Sequence, residues 1–307
     1  MELPVISDGN SFPAPHHLKE AGQKFGPLHT REGTSTQRAF FLPNLFIKLI
    51  ALCLCCFLFQ AQSQTATGHL ESIHHNHKVR VCIWPDYYGI TFRNPKTQLL
   101  EGVDAEMALE LGKELDVAVE FVDSNFAQLV NDVNTHKCDV AMFAVGVTPQ
   151  RADKLRFTRP TMVSDIYAIT TRTNRHIKTW TDIDKPGVVV AVMKGTLHEP
   201  VMRERLKFAT LKVVDTPMAR EQEVSSGRAD VFMTDYPYSR RMLETTDWAR
   251  LISPSSVYHE TFYAYAVAFG DEKWAHRMDE FVRNIQQDGR LMRAATRYKL
   301  HPIVVHQ

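Results

Sequence analysis

The sequence predicts an α/β protein of two lobes that are joined by two extended connections. Two observations lead to this prediction. Strand-like and helix-like segments alternate from Val79 onward, and after an extended stretch the alternation starts again at "VVVAVMKG". A late strand-like segment, "TFYAYAVAFG", precedes the last helical patterns, so the chain can cross back to the first lobe. Alternating strands and helices form parallel sheets through right-handed crossovers, and paired connections between lobes act as hinges.

The first unit follows a β-α-β-α-β order. "VRVCIW" is a β-branched apolar run. "GVDAEMALELGKELD" has apolar residues close to helical spacing after an early acidic pair: Val103, Met107, Leu109, Leu111 and Leu115. "VAVEFVD" alternates as a strand does. "FAQLVNDVNTHK" is typical of a short amphipathic helix, and "CDVAMFAVGV" is again a strand.

The second unit repeats this order after the extended "DIYAITTRT" and the short helix and turn "WTDIDKPG". The strands "VVVAVMKG", "TLKVVD" and "ADVFMTD" alternate with the helical "EPVMRERLKF", "PMAREQEVSSG" and "YPYSRRMLETT". We therefore predict one lobe from residues 79–167 and 267–307 and the other from residues 168–266, which are ordinary lobe sizes.

Residues 1–63 have a different character. A polar leader precedes "FIKLIALCLCCFLFQAQSQ", where Lys48, an apolar run and the small-residue pattern "AQS" follow one another as in a secretory signal. The apolar run, about eleven residues, is shorter than the roughly twenty that span a bilayer. We expect export to the periplasm, with an uncleaved membrane anchor as the alternative, and a linker at residues 64–78.

The charge of the chain gives no reason to expect a nucleic acid or an acidic membrane as partner. The net charge is +1, and removal of residues 1–63 takes away five Lys/Arg and four Asp/Glu, which leaves zero. The sequence contains no P-loop and no zinc-type cysteine spacing. We therefore predict no cofactor, no metal and no nucleic acid.

Two cysteines, Cys82 and Cys138, follow the signal, both in predicted strands. An oxidising compartment permits a disulfide between them, but two buried free thiols are the interpretation that we favour. The histidines of "HHNHK", at residues 74–78, would suit a metal, but their place in the polar linker favours a disordered segment.

Ligands in open α/β sheets bind outside the carboxyl ends of the strands. One of these ends leads through "AVGVTPQR" to Arg151, whose guanidinium can hold a carboxylate with two hydrogen bonds. The amides of residues 195–197 begin a helix and offer anion-binding N–H groups. Asp235 can oppose an ammonium. The pattern indicates a zwitterion site, although Arg151 could instead cap its own loop and Asp235 could cap its helix.

The region from Val79 to about Lys299 resembles the bacterial extracellular solute-binding proteins of family 3, the receptors of polar amino-acid ABC importers. The resemblance rests on "GVDAEMALELGKEL", "CDVAMFAVGVTPQRADKLRFTRP", "VAVMKGT" and "SGRADVFMTD", in order and at the family's spacing. It implies the type II periplasmic binding protein fold and a monomeric, non-enzymatic receptor. Its partners would be an amino acid or related acid and an ABC permease in the inner membrane.

The resemblance assigns ligand binding to residues at the strand ends: Tyr87, Phe126, Ala144, Gly146, Arg151, Gly195, Thr196, Leu197 and Asp235. Arg151 falls on the arginine that grips the ligand α-carboxylate. Thr196, with its neighbouring amides, falls on the second carboxylate contact, and Asp235 on the acid that holds the α-ammonium. Tyr87 and Phe126 fall where side chains sandwich the ligand, although both could be ordinary core residues.

Gly146 departs from the family pattern, which places Ser or Thr there to help hold the ammonium. The departure puts a standard α-amino acid ligand in doubt. Trp84, Tyr88 and His198 belong to the same loops and are further candidates for setting specificity.

The second lobe, through "DKPGVVVAVMKGTLHEPVMRERLKFATLKV" and "GRADVFMTD", and the first loop, through "DYYGITFR", also resemble secreted cyclohexadienyl (arogenate) dehydratases, which share this fold. These enzymes eliminate water and carboxylate from prephenate or arogenate, a reaction that needs a well-placed general acid. Their acidic residue falls on His198 here, with Glu199 one place away. We therefore favour the receptor, with no catalytic residue, and keep the enzyme as the alternative.

Overall fold

The computed structural model describes residues 68–306. The predicted signal segment, residues 1–63, and the first residues of the predicted linker lie outside the described residues. Within residues 68–306, none of the helices combines the length and the apolar character that a membrane span requires. Over the same range, no group of three or more His, Cys, Asp or Glu side chains is arranged to hold a metal ion.

The order of strands and helices agrees with the pattern of the sequence. The strands of the described residues are β1 Lys78–Ile83, β2 Asp86–Tyr87, β3 Thr91–Arg93, β4 Leu100–Glu101, β5 Ala118–Asp123, β6 Val140–Gly146, β7 Arg156–Phe157, β8 Met162–Ser164, β9 Tyr167–Thr171, β10 Val189–Met193, β11 Thr210–Val214, β12 Val231–Thr234, β13 Ala249–Ile252 and β14 Thr261–Val267. The α-helices are α1 His69–His75, α2 Val103–Leu115, α3 Leu129–Asn134, α4 Pro149–Ala152, α5 His198–Arg205, α6 Pro217–Ser225, α7 Tyr236–Thr245, α8 Glu272–Gln287 and α9 Arg290–Arg297. Short 3-10 helices occupy Trp180–Asp182 and His301–Ile303.

Two main sheets form the body of the protein. The first has the order β5-β1-β6-β14-β7, with β8 also paired to β14, and the second has the order β11-β10-β12-β9-β13. In each sheet three strands are parallel, as predicted: β5, β1 and β6 in the first, and β11, β10 and β12 in the second. Every residue of β6 is buried, which explains its uninterrupted apolar sequence.

The strands that join the two sheets are antiparallel to their neighbours, a direction that the sequence pattern did not specify. β14 runs antiparallel to β6, and β9 runs antiparallel to both β12 and β13. These strands enter from the other sheet without a crossover helix, so their direction is not fixed by the β-α-β rule. A small third sheet, β2-β3-β4, lies in the segment after β1 that the sequence pattern treated as a loop.

All of β14 pairs within the first sheet, whereas the predicted boundary between residues 266 and 267 would leave most of it in the second lobe. The last helices also contact the first lobe, where Glu114 of α2 bonds Arg277 at 2.8 Å and Arg290 at 2.6 Å. We therefore propose that the lobes divide near residues 165 and 260. The Asp165 carboxylate accepts hydrogen bonds from the amides of residues 258 and 259 and so ties the two connections together.

The predicted disordered linker is partly ordered. Residues 69–75 form α1. Ile73 of this helix is buried in the hydrophobic core around the first sheet, and the His69 amide donates a hydrogen bond to the Asp271 carboxylate at 2.6 Å. The apolar Ile73 explains why this short segment packs instead of remaining in solvent. His74 and His75 are exposed on this helix.

Cys82 and Cys138 form a disulfide, contrary to the free thiols that we favoured. The bond joins β1 to the residues just before β6, and both cysteines are buried. Their strands are neighbours in the first sheet, with Cys82 opposite Ala141. The sequence did not reveal this proximity because the pairing depends on the register of two strands more than fifty residues apart.

Candidate ligand-binding cleft

A cavity lies where the strand ends of the two sheets face each other. Its lining consists of Trp84, Tyr87, Phe126, Ala144, Gly146, Arg151, Met193, Thr196, Leu197, His198, Arg220, Thr234, Asp235, Tyr238 and Tyr263. Eight of the nine predicted site residues are among them. The ninth, Gly195, contributes its carbonyl to Arg151. Tyr88 lies outside the lining and packs its ring against Phe92.

The loop after β6 presents Arg151 to this cavity. Thr148 is the N-cap of α4, and its hydroxyl accepts a hydrogen bond from the Arg151 amide at 3.3 Å. Pro149 occupies the first turn, where its missing N–H costs nothing and its fixed φ suits the helix. Thr148 therefore caps the helix, and the Arg151 side chain is not needed for this role.

The guanidinium of Arg151 is buried, with the residue 8% exposed, and no carboxylate in residues 68–306 pairs with it. It donates to the carbonyls of Gly146 at 3.0 Å and Gly195 at 3.2 Å. Its carbon Cζ lies 5.2 Å from the centroid of the Phe126 ring. Burial lowers the pKa of Arg151 to about 10, so the side chain remains protonated at neutral pH.

Asp235 is the N-cap of α7 and also faces the cavity. One carboxylate oxygen accepts from the Tyr238 amide at 3.0 Å. The other accepts from the hydroxyl of Tyr263 at 2.9 Å and from the hydroxyl of Tyr87 across the cleft. Burial, reinforced by the negative charge of Asp235, raises the pKa of both tyrosines well above 10, so both hydroxyls keep their protons. The capping role and the cavity position therefore coexist.

The amides before α5 are less available for binding an anion than the sequence suggested. The Gly195 amide donates to Glu199 at 3.1 Å, and the Thr196 amide donates to the Met193 carbonyl at 3.3 Å. Gly195 has φ +77°, and a Cβ there would lie 2.9 Å from the backbone of Ala127. Glycine is thus required at this approach of the two lobes.

Gly146 leaves little space for the Ser or Thr of the family pattern. A Cβ on Gly146 would lie 3.0 Å from Thr261 Cγ2 and 3.3 Å from Leu197 Cδ2. Both neighbours are side-chain ends that would have to shift by a few tenths of an ångström to admit a larger residue. The glycine is therefore closely packed at this wall of the cavity.

Sequence reasoning missed five lining residues: Met193, Arg220, Thr234, Tyr238 and Tyr263. Met193 and Thr234 are the last residues of β10 and β12, so the strand-end rule could have found them. Tyr263 lies near the start of β14 and faces Gly146, because an antiparallel strand brings its first residues to this edge. The helical pattern around Arg220 and Tyr238 gave no signal.

Asp104 hydrogen-bonds to the strand that lines the cavity but does not itself line the cavity. It is fully buried in the first turn of α2 and accepts hydrogen bonds from the Ala144 amide at 2.7 Å and the Tyr265 hydroxyl at 2.9 Å. Ala144 has φ +47°, a left-handed conformation that costs a non-glycine residue roughly 1–2 kcal/mol. The opposite strand has a register shift at Ala264 and Ala266. Asp104 thus holds an irregular strand segment whose Ala144 lines the cavity.

Asp104 also predicts a specific pH dependence of stability. Burial raises the pKa of its carboxyl from 3.8 to about 6. Because the folded-state pKa is the higher one, the neutral carboxyl favours folding below about pH 4, and this contribution is lost as the pH rises through about 6. The loss amounts to roughly 2–3 kcal/mol.

We expect urea unfolding of Asp104→Asn and wild type, at pH 4 and pH 7, to show this loss. The stability of the wild type relative to the variant should fall by that amount between the two pH values, because the amide does not titrate. A difference that stays constant between pH 4 and pH 7 would contradict the assignment.

Comparison with known proteins gives the same architecture. Residues 79–301 match the family model of bacterial extracellular solute-binding proteins, family 3. A cyclohexadienyl dehydratase of Pseudomonas aeruginosa is 25% identical over 81% of this chain and 93% of that protein. An L-cystine-binding protein of Escherichia coli is 23% identical over 62% of this chain and 71% of that protein.

Solved structures share the fold. The crystal structure of an ancestral amino acid-binding protein, a precursor of cyclohexadienyl dehydratase, has a TM-score of 0.69 and 27% identity, over 75% of this chain and 98% of that one. The likeness shows the type II periplasmic binding protein fold. Since the family model spans most of the sequence, the chain belongs to the bacterial extracellular solute-binding proteins of family 3.

Proposed function

We propose that the protein is a monomeric periplasmic receptor that binds an amino acid or a similar small carboxylate-bearing solute between its lobes and delivers it to an ABC permease in the inner membrane. The observation that carries the proposal is Arg151, a buried guanidinium that faces the cavity without a carboxylate partner among residues 68–306. A buried charge of this kind is costly unless another charge meets it. A ligand carboxylate supplies that charge.

Three further observations support the proposal. The family is one of solute-binding proteins, and relatives include proteins named for amino-acid binding. The cavity adds the aromatic rings of Trp84, Tyr87 and Phe126, which pack within 5.0–5.9 Å of one another. The Cys82–Cys138 disulfide is consistent with an exported protein, because such bonds persist in oxidising compartments.

The test is a thermal-shift and native mass spectrometry screen of the exported protein against amino acids and small mono- and dicarboxylic acids. A ligand at a hundredfold excess over its Kd adds about 2.7 kcal/mol to stability, which raises the melting temperature measurably. If no carboxylate-bearing solute raises the melting temperature or adds mass at millimolar concentration, the proposal is wrong.

The second candidate function is a dehydratase, favoured by the similarity to the Pseudomonas aeruginosa enzyme. Neither of the two residues at the position of the family's acid, His198 and Glu199, suits the role of general acid. Burial, with the nearby charge of Arg220, lowers the pKa of His198 to about 3, so its ring is neutral. Glu199 bonds Arg203 and the Gly195 amide and is not among the lining residues. The test is incubation of the protein with prephenate. A rise in the absorbance of phenylpyruvate would show that the protein is a dehydratase and not only a receptor.

Export makes a prediction of its own. We expect the mature protein to begin near Gln64, because Lys48, the short apolar run and "AQS" form the order of a cleaved signal. N-terminal sequencing of periplasmic material checks this. Recovery of a chain with intact Met1 from the membrane fraction would instead favour the uncleaved anchor.

A further inference from the structure

We infer that Arg220 is a second anion-binding residue of the cleft and that the ligand is a dicarboxylate, one carboxylate meeting Arg151 and the other Arg220. This inference rests on the proposed function and specifies its ligand class. It starts from a residue that the sequence pattern did not single out, in the middle of helix α6.

Arg220 reaches the cavity from the second lobe. Arg220 is only 3% exposed and belongs to the cavity lining. The guanidinium carbon of Arg220 lies 4.7 Å from the ring centroid of Phe232 and 4.5 Å from that of Tyr238. The faces of these two rings attract the positive charge of the guanidinium.

The hydrogen bonds of Arg220 are far from complete. A guanidinium carries five N–H donors, and the hydrogen bond that this one makes within residues 68–306 runs from Nη1 to the Met233 carbonyl at 2.9 Å. Its Nε is buried without any partner. No carboxylate of the described residues pairs with it. A purely structural arginine would use these donors, so the arrangement points to an anion from outside the chain.

The charge of the lining favours a ligand whose net charge is −1, and an acidic amino acid is one such ligand. Arg151 and Arg220 each carry a positive charge, Asp235 carries a negative one, and the His198 ring is neutral. The lining therefore has a net charge of +1. An amino acid with one carboxylate and one ammonium would leave that charge in place. A ligand with two carboxylates and one ammonium neutralises it, whereas a cationic side chain would add to it.

The ammonium side of the cavity is comparatively weak. The Asp235 carboxylate already accepts the hydroxyls of Tyr87 and Tyr263 and the Tyr238 amide. Gly146 provides no hydroxyl, and Leu197 and Thr261 pack closely around it. The two guanidinium groups are therefore the strongest groups for recognising a ligand. A dicarboxylate without an amino group could also bind both of them.

The test is calorimetry of the exported wild-type protein against glutamate and aspartate, their amides glutamine and asparagine, and glutarate and succinate. At least one dicarboxylate should bind about thirtyfold or more tightly than its amide, because the amide leaves Arg220 without a counter-charge. The pair glutamate and glutarate shows whether the amino group contributes. An amide or a cationic amino acid that binds as tightly as the best dicarboxylate would overturn the inference.

Arg220→Met keeps an unbranched, flexible side chain, although a shorter one, and removes the charge. We expect the variant to lose the preference for the dicarboxylate, with the affinity for the amide changed by less than about threefold. Arg220→Lys, which keeps the charge, should restore part of the preference and serves if the Met variant melts early. An undiminished preference in Arg220→Met, or no difference between the Met and Lys variants and the wild type, would overturn the inference.

Arg241→Met is the matched control. Arg241 also stacks on the Tyr238 ring, at 5.0 Å, but pairs with Glu221 and does not line the cavity. Its loss should leave the dicarboxylate preference unchanged, and an equal loss in both variants would show that Arg220 acts only through Tyr238. If a neutral amino acid binds through Arg151 with no preference for a second carboxylate, the inference fails while the proposed function stands. If nothing binds, both fail.

Discussion

Replacement of Arg151 by Ala is expected to weaken ligand binding by at least about thirtyfold and to leave the fold intact. Truncation of one partner of a desolvated charge pair costs roughly 2–5 kcal/mol, and 2 kcal/mol corresponds to about thirtyfold in Kd. The guanidinium has no carboxylate partner among residues 68–306, so its removal breaks no ion pair of the folded chain. Calorimetry with the ligand found by the screen measures the first effect, and thermal melting measures the second.

Two further variants show whether the charge or its geometry matters. Arg151→Lys keeps a positive charge but loses the planar pair of donors that matches a carboxylate, so we expect it to recover only part of the affinity. Arg156→Ala is the control, because Arg156 lies five residues further along, is exposed and does not line the cavity. Unchanged affinity in Arg151→Ala would show that Arg151 does not bind the ligand.

The sequence predicted the parts of the site that follow directly from strand ends. Asp235 directly follows β12, and Arg151 lies five residues after the end of β6. The carboxyl ends of both strands face the cavity, as the strand-end rule predicts. Arg220 could not be found in this way, since a long side chain carries its guanidinium from the middle of α6 to the cavity. Periodicity alone assigns such a residue to an ordinary helix surface.

The fold was predictable to a similar extent and for similar reasons. The alternation of strands and helices is local, so the central strands of both sheets were predicted correctly. The direction of β14 and its place beside β6 depend on a return from the other lobe, and no local pattern contains that information. The same limit applies to Cys82 and Cys138, whose pairing is a consequence of strand register.

The second large effect concerns this disulfide. We expect Cys82→Ala/Cys138→Ala to lower the free energy of unfolding by about 4 kcal/mol. The bond closes a loop of 56 residues, and a cross-link of that span removes about this much conformational freedom from the unfolded chain. Chemical denaturation of the oxidised wild type and the double variant gives the difference. A difference below about 1 kcal/mol would show that the bond constrains the unfolded chain very little.

A control separates the cross-link from the packing of the two sulfur atoms. Wild-type protein that is unfolded and refolded in reductant keeps both side chains but not the bond, so its stability should lie close to that of the double variant. The affinity of the folded double variant for ligand should change by less than about threefold, because neither cysteine lines the cavity. The disulfide joins β1 to the start of β6, whereas Arg151 follows the opposite end of β6. A large loss of both stability and affinity would instead mean that the bond positions the loops after β1 and β6, and that the two ends of these strands are coupled.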